Sequence, residues 1–471
     1  MLRGMKILPM MLALPMLLLS GTTYAQDSPG HGADDMASES IDVYGSMKEK
    51  PHGLLLNSYQ SAALGLNEQR LPNALGLFPV VDHPVHLEPI FPTFDPGKPI
   101  ADVLAGIRKA YTDPISLSFQ PMAAWTFQHT SKTADGGGGL TKSILWEAIS
   151  SVLTLWQDQG NYGQVVCVLQ NNVGVGKPFL PFMGPAVGDP GVVNNILVSQ
   201  HLTTDLYWQQ SLFNDQLRVR VGKISMVSFF DRNAVAYDPI NGFMSQDLNQ
   251  SMTNPFPARG FGGVVAYDFG SDLTLRVGSM NSASAGFTSG FDGLAANRLF
   301  SIIELDCRIF PELWGVKRQG HLRFMGWYNS IPNPFGAGTV SGSGATFNMD
   351  LAVADHATAF CRVGWGESDV TPANFAVSTG FGVSAPFGIS SSQTGIAAEY
   401  MKVTAWGRQP TNSYLGGNVS LPPGDHYLLE WYWRFRLTAN SDSGPVIQVV
   451  KDASAGVDTA VIWGWRTSVS F

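Results

Sequence analysis

The chain has 471 residues, of which 44 % are hydrophobic, only 14 % are charged and 51 are glycine, with a formal net charge of −8. A soluble domain averages about 25 % charged residues, so the composition leans away from one, and the acidic balance argues against nucleic acid as a partner. Cys167, Cys307 and Cys361 form neither an even disulfide framework nor a CxxC pair; they read as small apolar residues on strands, and no zinc or redox centre is expected.

In chain order, Arg3 and Lys6 precede an apolar run from Ile7 to Leu19 and small residues ending in Thr23-Tyr24-Ala25. This predicts a secretory signal peptide over 1–25, since the run is short for a spanning helix and holds Pro9 and Pro15. Residues 26–111 read as an N-terminal extension. Its start, QDSPGHGADDMASES, is acidic and disordered in character, and LFPVVDHPVHLEPIFPTFDPGKP has too many prolines for a paired strand interior. Within it His83, His86 and Glu88 lack the helical HExxH spacing of a metal site. The extension closes on an expected amphipathic helix, with Pro99 at its start and Ile100, Val103, Leu104 and Ile107 at helical spacing.

Beyond residue 115 the period changes to two. No stretch holds the roughly 18 uninterrupted apolar residues of a spanning helix, so a membrane protein here must be a closed barrel. Strands are predicted to begin near Leu117, Ile144, Gln164, Asn194, Gln216, Phe261, Asp272, Phe300, His321, Thr346, Ala357, Phe375, Gly395, Tyr427, Val446 and Thr459, about sixteen in all. Tight turns at 213–215, 270–271, 355–356 and 439–443 alternate with long connections at 226–259, 282–298, 330–345 and 405–426. Short turns alternating with long loops suit an outer-membrane barrel, whereas Greek-key crossings of a soluble sandwich have no need of that parity.

The strand faces agree. Leu217, Val219 and Val221 alternate with Arg218 and Arg220. Ile303, Leu305, Cys307 and Ile309 alternate with Glu304, Asp306 and Arg308. Leu429, Trp431, Trp433, Phe435 and Leu437 alternate with Glu430, Tyr432, Arg434 and Arg436. An arginine at the lipid-facing midplane costs roughly 2–4 kcal/mol, so the charged faces belong to a lumen. In the last strand Val461, Trp463, Trp465, Thr467, Val469 and the terminal Phe471 share one side, where aromatic rings suit the membrane interface.

Three stretches, TDLYWQQSLFNDQLRVRVGKIS, GFGGVVAYDFGSDLTLRVGSMNS and the closing LLEWYWRFRLT with VIWGWRTSVSF, resemble the carbohydrate-selective, OprB-like porins of Gram-negative outer membranes. The similarity covers about residues 191–471. It implies a sixteen-stranded barrel over 112–471 that passes sugars or other small polar solutes by facilitated diffusion. Outer-membrane lipid surrounds such a barrel, the barrel-assembly machinery is a partner, and an oligomer is open. The Trp-Gly-Gly-Leu-Arg type stretch that usually begins the barrel region is missing, and the Pro-rich segment from Phe78 to Pro99 stands in its place.

The expected pore lining comprises Arg218, Arg220, Arg276, Arg308, Arg323, Arg362, Arg434, Arg436 and Arg466, interleaved with Glu304, Asp306, Glu399 and Glu430. Such groups can replace a sugar's hydration shell with hydrogen bonds; an excess of arginine would instead favour anions. The resemblance also implies that the longest barrel connection, 226–259, folds inward. Its constriction candidates are Phe229, Phe230, Asp231, Arg232, Tyr237, Asp238 and Arg259, while Trp463, Trp465 and Phe471 form the expected C-terminal assembly signal. No cofactor and no enzyme are expected: Ser211, Ser225 and His321 have no pairing legible in sequence, and DGGGGL at 135–140 lacks the Lys-Ser/Thr of a phosphate loop. The alternatives are an anion-selective or general porin, or a barrel serving as hydrolase or structural anchor.

Overall fold

The computed structural model describes residues 87–91 and 116–470, apart from 135–138, 159, 175–182, 191–204, 258, 284–289, 292–297, 333–337, 409–420 and 454–457. The expected signal peptide, the acidic start and amphipathic helix of the extension, and Phe471 lie outside the described residues. Sixteen antiparallel strands close a barrel: β1 (Ser116–Thr130), β2 (Leu140–Asp158), β3 (Asn161–Gly174), β4 (Asp205–Leu212), β5 (Leu217–Ile224), β6 (Gly260–Asp268), β7 (Leu273–Asn281), β8 (Leu299–Ile309), β11 (Gly320–Pro332), β12 (Thr339–Ala354), β13 (Ala357–Gly366), β14 (Ala373–Ser384), β15 (Ser392–Val403), β16 (Gly424–Thr438), β17 (Ser441–Asp452) and β18 (Ala460–Ser470). The two-residue strands β9 (Glu312–Leu313) and β10 (Val316–Lys317) make a small hairpin between β8 and β11 that the sequence pattern does not predict.

Each strand pairs with its neighbour in sequence, and β1 closes the ring on β18, from Met122 opposite Ser470 to Thr130 opposite Ile462. Closure leaves the sheet no free edge, which hydrocarbon would penalise heavily. Side-chain burial follows the period of two. On β8, Ile303 is 49 % exposed and Leu305 37 %, while Glu304 between them is fully buried. On β18, Val461, Trp463 and Trp465 face out and Ile462 and Arg466 face in. Trp463 packs against Phe127 and His129 of β1, its ring centroid 5.3 and 5.4 Å from theirs. Exposed Phe213, Phe269, Phe310, Trp314 and Phe387 ring the short-turn end, as an aromatic girdle at a membrane interface requires.

The parity holds: β4–β5, β6–β7, β12–β13 and β16–β17 are joined by short turns, and β5–β6 by the long connection. Several boundaries differ from the sequence reading. The fourth strand, expected near Asn194, begins at Asp205, and the turn expected at 439–443 shrinks to Ala439 and Asn440. The connection expected over 330–345 is mostly strand, with Ile331 opposite Val340 and Ser330 opposite Ser341. Its Gly- and Ser-rich composition reads as loop, but Gly344 is there because an added Cβ would lie 2.3 Å from the ring of Trp327. The connection expected at 405–426 ends three residues early, because β16 already begins at Gly424.

Part of the Pro-rich segment is anchored at the short-turn end. The register of β16 on β17 shifts between Arg436 and Thr438, and the carbonyls of Arg436 and Leu437 accept the amides of Ile90 (2.9 Å) and Phe91 (2.8 Å). Glu88 bonds Ser390 of the β14–β15 turn through both backbone and side chain. Leu87 is buried.

Candidate functional site

The connection from Ser225 to Arg259 crosses the inside of the barrel. Its sequence has little regular periodicity; among the described residues it holds a 3-10 turn at Met226–Ser228 and one α-helical turn, α2 (Gln246–Asn249), capped by Ser245, whose Oγ accepts the Asp247 amide; α1 (Met183–Ala186) is the corresponding turn in the β3–β4 connection. A loop without its own ladder must find partners for its backbone groups elsewhere when it is buried. The barrel wall supplies them. Glu304 of β8 accepts the Asp231 amide at 2.9 Å. Glu430 of β16 accepts the amides of Met244 and Ser245. Arg362 of β13 donates to the carbonyls of Leu248 (2.8 Å), Ala236 (3.0 Å) and Asp231 (3.3 Å) and pairs through Nε with the Asp231 carboxylate at 2.8 Å. Arg466 of β18 donates to the carbonyls of Pro239 (2.7 Å) and Gly242 (2.9 Å). The guanidinium fork suits this task because several donors leave one rigid plane.

Apolar contacts complete the docking. Phe229 lies edge-on to Tyr207, and the Arg220 guanidinium stands 4.8 Å above its ring. Phe230 is fully buried and lies over Gly278 of β7, where a Cβ would come within 2.8 Å of its ring. At Gly364 of β13 a Cβ would fall 2.0 Å from Thr253 Oγ1. Ile240 packs with Ala124, Trp146 and Ala148 of β1 and β2. Phe243 meets Tyr432 and Phe360, within a cluster that includes inward-facing Val446, Val450 and Ile462. These inner-wall residues are apolar because the loop covers them.

The expected pore-lining residues therefore divide. Arg362, Arg466, Glu304 and Glu430 hold the loop. A second group forms a chain of paired charges along the wall. Arg218 bonds Asp268 at 2.5 Å, and Arg276 pairs with Glu304 and, at 3.1 Å, with Asp306. Asp306 also takes His321 (2.8 Å) and Arg323 (3.4 Å), and Arg323 goes on to Asp350. Arg220 donates to Gln209 at 2.7 Å. Near the short-turn end Arg436 bonds Asp442 at 2.7 Å and Arg434 donates to Gln393 at 2.8 Å. Arg308 is half-buried at the same end of β8, and Glu399 is buried on β15.

The expected constriction residues divide as well. Phe229, Phe230, Asp231 and Tyr237 are buried against the wall, the Tyr237 hydroxyl donating to the Val227 carbonyl at 2.7 Å. Asp231 anchors the loop to itself and to Asn348, accepting the Ser251 amide and the Asn348 amide group. Arg259 reaches Gln170 and Asp205 at the loop's end. Arg232 and Asp238 stay half-exposed, with Asn241 and Gln246, which the sequence reading missed. Asp238 organises its turn by accepting the amides of Ile240 and Asn241.

A cavity of about 480 Å³ opens at the long-loop end, lined by Gln246, Gln250, Met252, Asn254 and Phe256 of the folded-in loop with Pro190, Pro372 and Trp406 among the other residues. Among the described residues its lining has amides and aromatic rings and no ionisable side chain. Of the possible catalytic groups, Ser211 donates to Asp215 at 2.7 Å, while His321 is held by Asp306 on β8.

The sequence profile of the carbohydrate-selective porin, OprB family, matches residues 124–471. The barrel is similar to Pseudomonas putida OprB in its high-pH structure, with a TM-score of 0.62 and 15 % identity, over 78 % of this chain and 97 % of that one. It also matches a triple mutant of Rhodopseudomonas blastica porin at a TM-score of 0.45 and 12 % identity, over 75 % of this chain and all of that one, a likeness too distant to carry an argument. At these identities the solved structures speak to the fold alone. No curated protein matches the sequence.

Proposed function

The chain belongs to the carbohydrate-selective porin family and is thus an outer-membrane porin, and from that premise we propose that it admits neutral sugars by facilitated diffusion past the folded-in loop. The observation that carries this reading is the cavity of about 480 Å³ at the long-loop end. Gln246, Gln250 and Asn254 offer both donors and acceptors to hydroxyl groups, and Trp406 and Phe256 offer faces for the apolar side of a sugar ring. With no ionisable lining group among the described residues, the cavity gives an anion no particular advantage.

The wall charges support the same solute class. Arg218, Arg276, Arg323, Arg362 and Arg436 each have a carboxylate partner, so the lumen is polar without a strong excess of positive field. Paired charges still offer lone pairs and N–H groups to a passing hydroxyl, and these interactions persist in salt, whereas steering of an ion is screened. On this reading the protein is a channel that makes and breaks no covalent bond, lipid surrounds the outward aromatic and aliphatic face, and the last strand is read by the barrel-assembly machinery.

The test is swelling of liposomes carrying the purified protein, with glucose, larger saccharides, amino acids and small anions outside. Glucose should enter faster than a similarly sized anion, and Trp406→Ala should weaken discrimination among sugars. Entry of anions with no entry of glucose would replace this reading with an anion-selective porin, and no entry of any solute would remove the transport reading.

A further inference from the structure

Three chain segments far apart in sequence bring ionisable side chains to one buried point beside the folded-in loop. Asp189 follows α1 in the β3–β4 connection, Asp247 lies in α2, and His426 stands near the long-loop end of β16. All three are fully buried, and one ligand atom from each lies within 4.8 Å of the others. Neither carboxylate oxygen of Asp247 has a hydrogen-bond partner among the described residues. A carboxylate removed from water must be protonated, paired or bound to a metal, because its solvation loss is otherwise several kcal/mol. Here burial first, and then the neighbouring acids Asp189, Glu399 and Glu430, push the Asp247 carboxyl well above the usual range. Glu399 adds a further buried oxygen, Oε2, that has no hydrogen-bond partner among the described residues.

The imidazole is oriented as a ligand would be. His426 Nε2 points to Asp189 Oδ2 at 3.7 Å and Nδ1 to Asp452 Oδ2 at 3.6 Å, both too long for hydrogen bonds. Asp452 is in turn held by Arg408, which also donates to the carbonyls of Gly188 and Pro422. A metal-bound histidine characteristically turns its other nitrogen to a carboxylate, and Asp452 occupies that outer position. Ligands bound at about 2.0–2.2 Å around a tetrahedral ion stand roughly 3.3–3.6 Å from one another, so a cluster spread over up to 4.8 Å closes by roughly 1.2–1.5 Å at its widest on taking up the ion.

We propose that Asp189, Asp247 and His426 bind one divalent first-row transition-metal ion, with Zn²⁺ as the best match, which ties the folded-in loop and the β3–β4 connection to β16. One imidazole with two carboxylates selects this class over Ca²⁺ or Mg²⁺, which favour all-oxygen sites. The ion removes two units of surplus negative charge from a cluster in which Asp189, Asp247, Glu399 and Asp452 face Arg408 and His426. It acts as a structural staple on the loop beside the cavity, whose lining includes Pro190 and Gln246, the neighbours of Asp189 and Asp247 in the chain.

The test uses the full chain in detergent, stripped with a chelator and titrated with Zn²⁺, with bound metal counted by elemental analysis. One ion per chain should bind, and thermal unfolding should move upward with Zn²⁺. Asp247→Asn and His426→Gln should each weaken binding at least tenfold, while Asp425→Asn, one residue from the cluster, should bind as the parent does. Co²⁺ in place of Zn²⁺ should give the visible absorption of a nitrogen- and oxygen-ligated ion, a readout of the parent protein that holds even if a variant fails to fold. A parent chain that keeps no Zn²⁺, or an Asp247→Asn chain that binds it equally, overturns the site in favour of a proton shared among the acids. Metal counting is independent of sugar entry, so failure here leaves the transport reading intact.

Discussion

Arg362→Met isolates what holds the loop across the lumen. The side chain is 1 % exposed, pairs with Asp231 at 2.8 Å and donates to three loop carbonyls. Removing it leaves the Asp231 carboxylate buried with only the Ser251 amide and the Asn348 side chain. Breaking a buried pair on one side costs about 3–5 kcal/mol. The cost falls on docking of the loop, because the barrel ladder uses the backbone of Arg362, opposite Asn348 and Ser378, and not its side chain. At about 1.4 kcal/mol per decade this lowers the docked-to-undocked ratio by roughly two to three and a half orders of magnitude. The assay is single-channel conductance together with entry of saccharides of increasing size into liposomes. Conductance should rise, or fluctuate between two levels, and larger saccharides should enter. Arg362→Lys keeps a charge but loses the fork, and should fall between the two. Far-ultraviolet circular dichroism and heat-modifiable gel mobility should show an intact barrel. A folded Arg362→Met barrel with parental conductance and size limit would refute the claim that this arginine holds the loop.

Three more outcomes follow from the geometry. Gly278→Val places side-chain atoms where the Phe230 ring lies, 2.8 Å from the position of the new Cβ; overpacking of about 1–3 kcal/mol should destabilise the docked loop and raise conductance without loss of the barrel. A cysteine placed at 286–296 should react with an impermeant thiol reagent on intact cells and one at 270–271 should not, the reverse pattern contradicting the assigned sidedness. Phe471→Ser should lower the yield of folded barrel in the outer membrane more than Ser470→Ala does, and equal yields would leave the terminal aromatic with no assembly role.

Much of the barrel was legible in the sequence because strand periodicity is a local property. Alternation of Ile303 and Leu305 with Glu304 and Asp306, or of Trp463 and Trp465 with Arg466, states which side meets lipid without reference to any other strand. The parity of short and long connections then closes the ring. The errors are local too: Gly and Ser at 335–345 look like loop, yet much of the stretch is paired, with Gly344 accepting the ring of Trp327.

What the tertiary structure decided is which inward groups face an open path and which face the loop. Arg218 and Arg362 have the same signature in sequence, a cation on the polar side of a strand. Only the fold shows Arg218 on Asp268 and Arg362 clasping the carbonyls of residues 231, 236 and 248. Likewise inward Val446, Ile462 and Tyr432 are apolar or aromatic in a wet lumen because Phe243 and its neighbours pack on them. Asp189, Asp247 and His426 are individually unremarkable in sequence and gain meaning from convergence. Docking of a loop lacking its own periodicity is fixed by partners more than a hundred residues away, such as Asn348 for Asp231. No local pattern encodes that choice, because it depends on which wall groups the closed ring brings beneath the loop.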